Sequence, residues 1–134
     1  MDDDQSKPAE IISQGHGRVI KTIGDEVMFV ADSAVDGARI GLDLASRIDT
    51  DAEFPKVRVG LAYGGVLSRL GDVFGPVVNV AARLTSLARP GSVLVDRGLR
   101  DALEGQPGLT LRRLRRVSVR GYARLEPWVL RTDP

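Results

Sequence analysis

The chain has no cysteine, a single histidine, few aromatic residues (4%) and almost no net charge, +1 over 134 residues. The lack of cysteine excludes disulfides and thiolate metal sites and is compatible with a reducing cytoplasm. The one histidine, His16, sits between Gly15 and Gly17 ahead of an apolar run and reads as structural or exposed, which removes histidine-based catalysis. The near-neutral balance gives no overall attraction to nucleic acid, an acidic partner or a membrane surface. No apolar run approaches the ~20 residues of a membrane helix, and no basic-then-apolar leader opens the sequence. What is present, 43% hydrophobic and 28% charged residues, suits one soluble, cytoplasmic globular domain with a single core.

Residues 1–17 are polar and punctuated by Pro8, Gly15 and Gly17, with Ile11 and Ile12 as the one apolar pair. They read as a loose tail with one helical turn, so the expected division is a polar tail at 1–14 and a domain at 15–134. From Arg18 two β-branched or apolar runs, Arg18 to Ile23 and Glu26 to Val30, meet at Gly24-Asp25, a hairpin signal in which Gly24 can take positive φ. Ser33 caps a helix that carries Val35, Ala38, Leu42 and Ala45 at helical spacing to about Ile48. Val57, Val59, Leu61 and Tyr63 alternate with residues that include Gly60, Ala62 and Gly64, predicting a strand with one small-residue face against which something packs closely. Val77, Val80, Ala81, Leu84 and Ala88 form the buried stripe of a helix ended by Pro90-Gly91. A short strand at 92–95, a short helix from Arg97 to Leu103, and strands at 109–119 and 127–130 close the chain. The expected class is α+β, a mostly antiparallel sheet with helices on one side.

Asp25 and Asp72 each follow a glycine in a turn, where carboxylates are common because they satisfy nearby N–H groups. Lys21 reads equally as an edge-strand lysine that discourages aggregation. Asn79 and Arg83 stand four apart and share one helix face, as a polar flank would. The run Arg112-Arg113-Leu114-Arg115-Arg116 has no interleaved aromatic residue and alternates with strand-core positions, so it reads as a solvated strand face and not as a nucleic-acid surface.

Two ordered segments, Lys21-Thr22-Ile23-Gly24-Asp25-Glu26 and Asp72-Val73-Phe74-Gly75-Pro76-Val77-Val78-Asn79-Val80-Ala81-Ala82-Arg83, resemble the signatures of class III nucleotidyl cyclases, and the likeness runs from about Gly15 to Leu130. The resemblance implies a ferredoxin-like cyclase fold and dimers with sites at the interface. One subunit there holds two Mg²⁺ or Mn²⁺ ions, and its partner reads the base and binds the ribose and phosphates. It makes Asp25 a metal ligand, Lys21 and Asp72 the base-reading pair, Asn79 the ribose-orienting amide, Arg83 the cation facing the phosphorus-centred transition state, and Arg120 of Val119-Arg120-Gly121 a phosphate contact. A lysine paired with a carboxylate suits adenine, which offers an acceptor beside a donor amine where guanine reverses the polarity. The implied substrate is therefore ATP.

Such a domain normally opens with a strand bearing the first metal aspartate and a phosphate-binding turn, followed by helices and another strand. With strands of ~5–6 and helices of ~11–12 residues, these do not fit in the twenty residues before Lys21. The expected form is an N-terminally truncated domain converting ATP to cyclic AMP and pyrophosphate, impaired by itself for want of that aspartate. The alternative is a non-catalytic partner that pairs, as homodimer or heterodimer, with a complete cyclase.

Overall fold

Local sequence signals place most of the elements, and their packing decides which faces are covered. The computed structural model describes residues 6–49, 57–114 and 125–134. In chain order the elements are α1 (Ser6–Gln14), β1 (Gly17–Ile23), β2 (Glu26–Ala31), α2 (Ala34–Asp49), β3 (Val59–Leu61), β4 (Leu67–Arg69), β5 (Asp72–Phe74), α3 (Pro76–Leu87), β6 (Val93–Val95), α4 (Arg97–Ala102), β7 (Leu109–Arg113) and β8 (Trp128–Thr132). A mixed sheet runs β3-β6-β8-β7, with β3 parallel to β6 and the remaining pairs antiparallel. The hairpins β1-β2 and β4-β5 form separate two-stranded ribbons.

Gly24 takes φ 60° in the two-residue turn joining Ile23 to Glu26, the conformation its missing Cβ permits. Ser33 accepts the N–H of Asp36 at 3.0 Å, starting α2 as its sequence implies. α2 then lays Gly41 on β3 and β6, where an added Cβ would meet Leu61 Cδ1 at 2.9 Å. On the opposite face of β3, a Cβ on Gly60 would stand 2.3 Å from the Thr85 nitrogen and 2.6 Å from the Ala81 carbonyl oxygen. α3 is thus the close neighbour that the small-residue face of this strand requires.

The α+β class stands, but helices cover both faces of the sheet where one side was expected. Val59, Leu61, Val93 and Val95 join Ile40, Leu44 and Leu99 in one apolar cluster. Leu94 and Val129 point the other way, into a second cluster with Leu84 and Ala88 of α3. The physical reason is visible in β6, whose three residues Val93, Leu94 and Val95 are all buried, as in a strand apolar on both faces. The polar tail is also corrected. Residues 6–14 are helix α1, and Ile11 and Ile12, 2% and 0% exposed, bury against the α2 cluster. Adjacent isoleucines give no clear period in sequence, but Gly15 and Gly17 bring the chain close to Ile40 and let both be covered. β3 is shorter than the seven-residue alternation suggested, and positions 115–119 of the expected closing strand lie outside the described residues.

Candidate active site

Lys21 reaches the site through an irregularity in β1. Val19 pairs with Phe29 and both pack on the core, whereas the next pairing is Lys21 with Met28, leaving Ile20 as an extra residue. In a regular strand Lys21 would share the core face of Val19, two residues earlier. The bulge resets the alternation and turns the lysine to the opposite face.

Asp72 begins β5, directly after a turn in which Leu70 and Gly71 both have positive φ, 53° and 81°. The hairpin carries this carboxylate to β1, and Lys21 Nζ donates to Asp72 Oδ2 at 2.9 Å across 51 positions of sequence. Their side chains are 40% and 29% exposed. The Lys21 hydrogen bond, with the Val73 N–H at 2.8 Å, holds the Asp72 carboxyl below the usual aspartate range. A donor ammonium beside an ionised acceptor is a preformed two-point edge for a planar ligand that presents an acceptor next to a donor.

Gly75, φ 148°, ends the hairpin, and Pro76 opens α3. α3 buries Leu84 and Ala88 and presents Asn79, Ala82, Arg83 and Ser86 along its opposite side, lining a shallow depression of ≈ 240 Å³. Lys21 and Asp72 are in direct contact, and Asn79 and Arg83 share this depression as their i, i+4 spacing implies. Asp25 is exposed in the β1-β2 turn. Among the described residues no group of three or more His, Cys, Asp or Glu side chains could hold a metal ion. A lone turn carboxylate does not fit the several oxygen ligands that Mg²⁺ or Mn²⁺ takes, let alone two such ions. Arg120 lies outside the described residues. In the arginine run, Arg113 pairs with Glu126 at 3.3 Å and Arg112 is exposed.

Asp96 escapes a reading by motif. Its carboxylate Oδ1 accepts the N–H of Leu99 at 2.9 Å and that of Tyr63 at 3.2 Å. Burial pushes the carboxyl above the usual aspartate range, against the opposing pull of those two N–H groups. The available signal was the aspartate standing between a continuous apolar strand and a short helix, an N-cap position.

Known proteins resemble this chain over most of its length. The family model described as adenylate and guanylate cyclase catalytic domain matches residues 5–132. An adenylate cyclase of Glutamicibacter nicotianae is 46% identical over 126 residues, 94% of this chain and 31% of the relative. One of Streptomyces coelicolor is 43% identical over 99 residues, 74% of this chain and 26% of the relative. The chain therefore spans less than a third of the length of these curated relatives. The solved adenylate/guanylate cyclase/hydrolase from Silicibacter pomeroyi matches with TM-score 0.81 and 26% identity, over 97% of this chain and 81% of that one. No helix among the described residues is long and apolar enough to cross a membrane.

Proposed function

The chain belongs to the adenylate and guanylate cyclase catalytic-domain family, and from that premise we propose that it contributes the base-reading and phosphate-facing half of a site making cyclic AMP and pyrophosphate from ATP. The observation that carries the reading is the Lys21–Asp72 pair at 2.9 Å. Lysine donates to the ring nitrogen of adenine, the carboxylate accepts from the exocyclic amine, and guanine offers the reverse at both points. A guanine bound there would leave polar groups unpaired, a stronger basis for rejection than a missing contact.

Asn79 orients the ribose so that its 3′-hydroxyl faces the α-phosphorus. Arg83 meets the charge that grows on the phosphate oxygens as the bond to pyrophosphate breaks, a task suited to a fixed guanidinium. The phosphate-binding role of Arg120 rests on the resemblance alone. Divalent cations would neutralise phosphate charge in such a reaction. In the site to which this chain gives its half, both metal-binding carboxylates are assigned to the partner chain, and Asp25 belongs to the reciprocal site. The isolated chain is accordingly expected to turn over weakly or not at all, and the activity to reside in a dimer with a complete cyclase in the cytoplasm.

Support for a partner comes from the surface. Ile23, Tyr63, Leu67, Leu70 and Phe74 are exposed apolar residues on the β1-β2 turn, the segment after β3 and the β4-β5 hairpin. Exposed apolar side chains on these segments suit a protein interface. The competing reading is a partner that binds a complete cyclase and regulates it without donating catalytic groups.

Nucleotide selectivity tests the base-reading assignment. ATP should bind the chain, with its partner cyclase, more tightly than GTP. Lys21→Glu should cut that preference roughly tenfold, the size of a lost hydrogen-bond match. An unchanged ATP preference in Lys21→Glu would sink the assignment.

A further inference from the structure

One carboxylate near the site holds two chain segments at once. Asp96 follows β6, and its backbone N–H donates to the Leu61 carbonyl at 3.1 Å, tying it to the end of the parallel neighbour β3. Its side-chain Oδ1 caps α4 through the Leu99 N–H at 2.9 Å, which is all that helix capping requires. The same oxygen also accepts the Tyr63 N–H at 3.2 Å, 33 positions away, in the segment leaving β3. Beside that carboxylate, Gly98 packs so tightly that an added Cβ would lie 3.1 Å from the Tyr63 carbonyl oxygen and 3.5 Å from Asp96 Oδ2.

Beyond Tyr63 the chain runs against the start of α3. A Cβ on Gly64 would be 3.5 Å from Val77 Cγ2, and one on Gly75 would be 3.3 Å from the Gly65 carbonyl oxygen. Gly75 is the joint between β5, which carries Asp72, and α3, which carries Asn79 and Arg83. Residues 63–65 therefore wedge against this joint, and Asp96 fixes the wedge at its inner end.

We propose that Asp96 is a positioning residue for the nucleotide site, holding Tyr63 so that the wedge sets the joint at Gly75 and thereby the placement of Asp72 against Lys21. Its functional meaning rests on the nucleotide reading given above, but the placement itself can be measured with no nucleotide present.

The test uses NMR on the full chain, following the Asp72 carboxyl titration and the hydrogen exchange of the Tyr63 and Leu99 amides. Asp96→Ser keeps a capping oxygen for Leu99 on a side chain too short to reach Tyr63 as well. Asp96→Asn keeps an oxygen acceptor in the original place. In Asp96→Ser the Leu99 amide should stay protected, Tyr63 should exchange about tenfold faster or more, and Asp72 should titrate closer to the ordinary aspartate value. Asp96→Asn should restore wild-type behaviour at all three. Asp96→Ser that frees Tyr63 and leaves the Asp72 titration unchanged would overturn the proposal, as would undiminished protection of Tyr63. Failure of the wild-type chain to bind ATP, with or without a partner cyclase, would instead strike the nucleotide reading and leave this outcome readable.

Discussion

Gly60→Ala should be among the most damaging single-carbon additions to this protein. The new Cβ would lie 2.3 Å from the Thr85 nitrogen, 2.5 Å from Thr85 Oγ1 and 2.6 Å from the Ala81 carbonyl oxygen, where ordinary contact begins near 3.4 Å. Two of those three atoms are helix backbone, so no rotamer change relieves the clash, and α3 must withdraw by about 1 Å. Retreat of the strand is blocked, because Val59 and Leu61 are 5% and 8% exposed and pack on the opposite cluster. Overpacking costs about 1–3 kcal/mol, and a backbone clash belongs at the upper end. Restricting the unfolded chain offsets about 0.4–1 kcal/mol of that, for a net loss of about 2 kcal/mol. Urea denaturation should show this loss as a lower midpoint at an unchanged slope. The thermal midpoint should fall by roughly 6–12 °C for a domain of this size. Thr85→Ala should not rescue the variant, since it leaves both backbone atoms in place. A Gly60→Ala protein within about 0.5 kcal/mol of wild type would refute the close approach of α3 to β3. The same shift would displace Asn79 and Arg83, coupling the packing defect to the site.

Two further expectations follow from the hairpins. Lys21→Met removes the donor that depresses the Asp72 carboxyl. A depressed carboxylate contributes stability above its unfolded-state value and loses it as pH falls through the folded one. The variant should therefore be less stable than wild type at neutral pH and indistinguishable from it in acid below both values, by urea melts at the two pH values; a difference that persists in acid would reject the ion pair as its source. Leu70 is 99% exposed at φ 53°, a backbone region that disfavours leucine. Leu70→Asn should raise the isolated chain's stability by about 0.5–1 kcal/mol, and a lower thermal midpoint would count against that turn.

The elements that sequence made legible are those with a local physical cause. Ser33 announces α2, Gly24-Asp25 the first hairpin, and Gly60 the close neighbour that proves to be α3. What stayed hidden depended on partners distant in sequence. The bulge at Ile20 is silent because Val19 and Ile20 are both apolar, so neither register looks wrong before the partner strand is known. α1 is masked by Pro8 and polar neighbours, and only its burial on Ile40 explains it. Leu70 gives no turn signal, since its left-handed conformation is set by the hairpin and not by its own preference. In the site, Asn79 and Arg83 were visible as one helix face. Lys21 and Asp72, 51 residues apart, could be paired only through the resemblance of their two segments. Asp96 carries an ordinary capping signature, and its second bond to Tyr63 appears only in three dimensions.

The central claim, that this chain supplies its half-site to a partner, is tested most directly by complementation. The chain would be mixed with a complete cyclase whose own asparagine and arginine at the positions matching Asn79 and Arg83 are replaced, while both metal-binding aspartates are kept. Cyclic AMP would then be measured with ATP and Mn²⁺. Rescue well above either protein alone is expected, falling by about 10²–10³ when this chain carries Arg83→Ala. No rescue despite demonstrated association, or rescue that survives Arg83→Ala, would contradict donation of the site in trans.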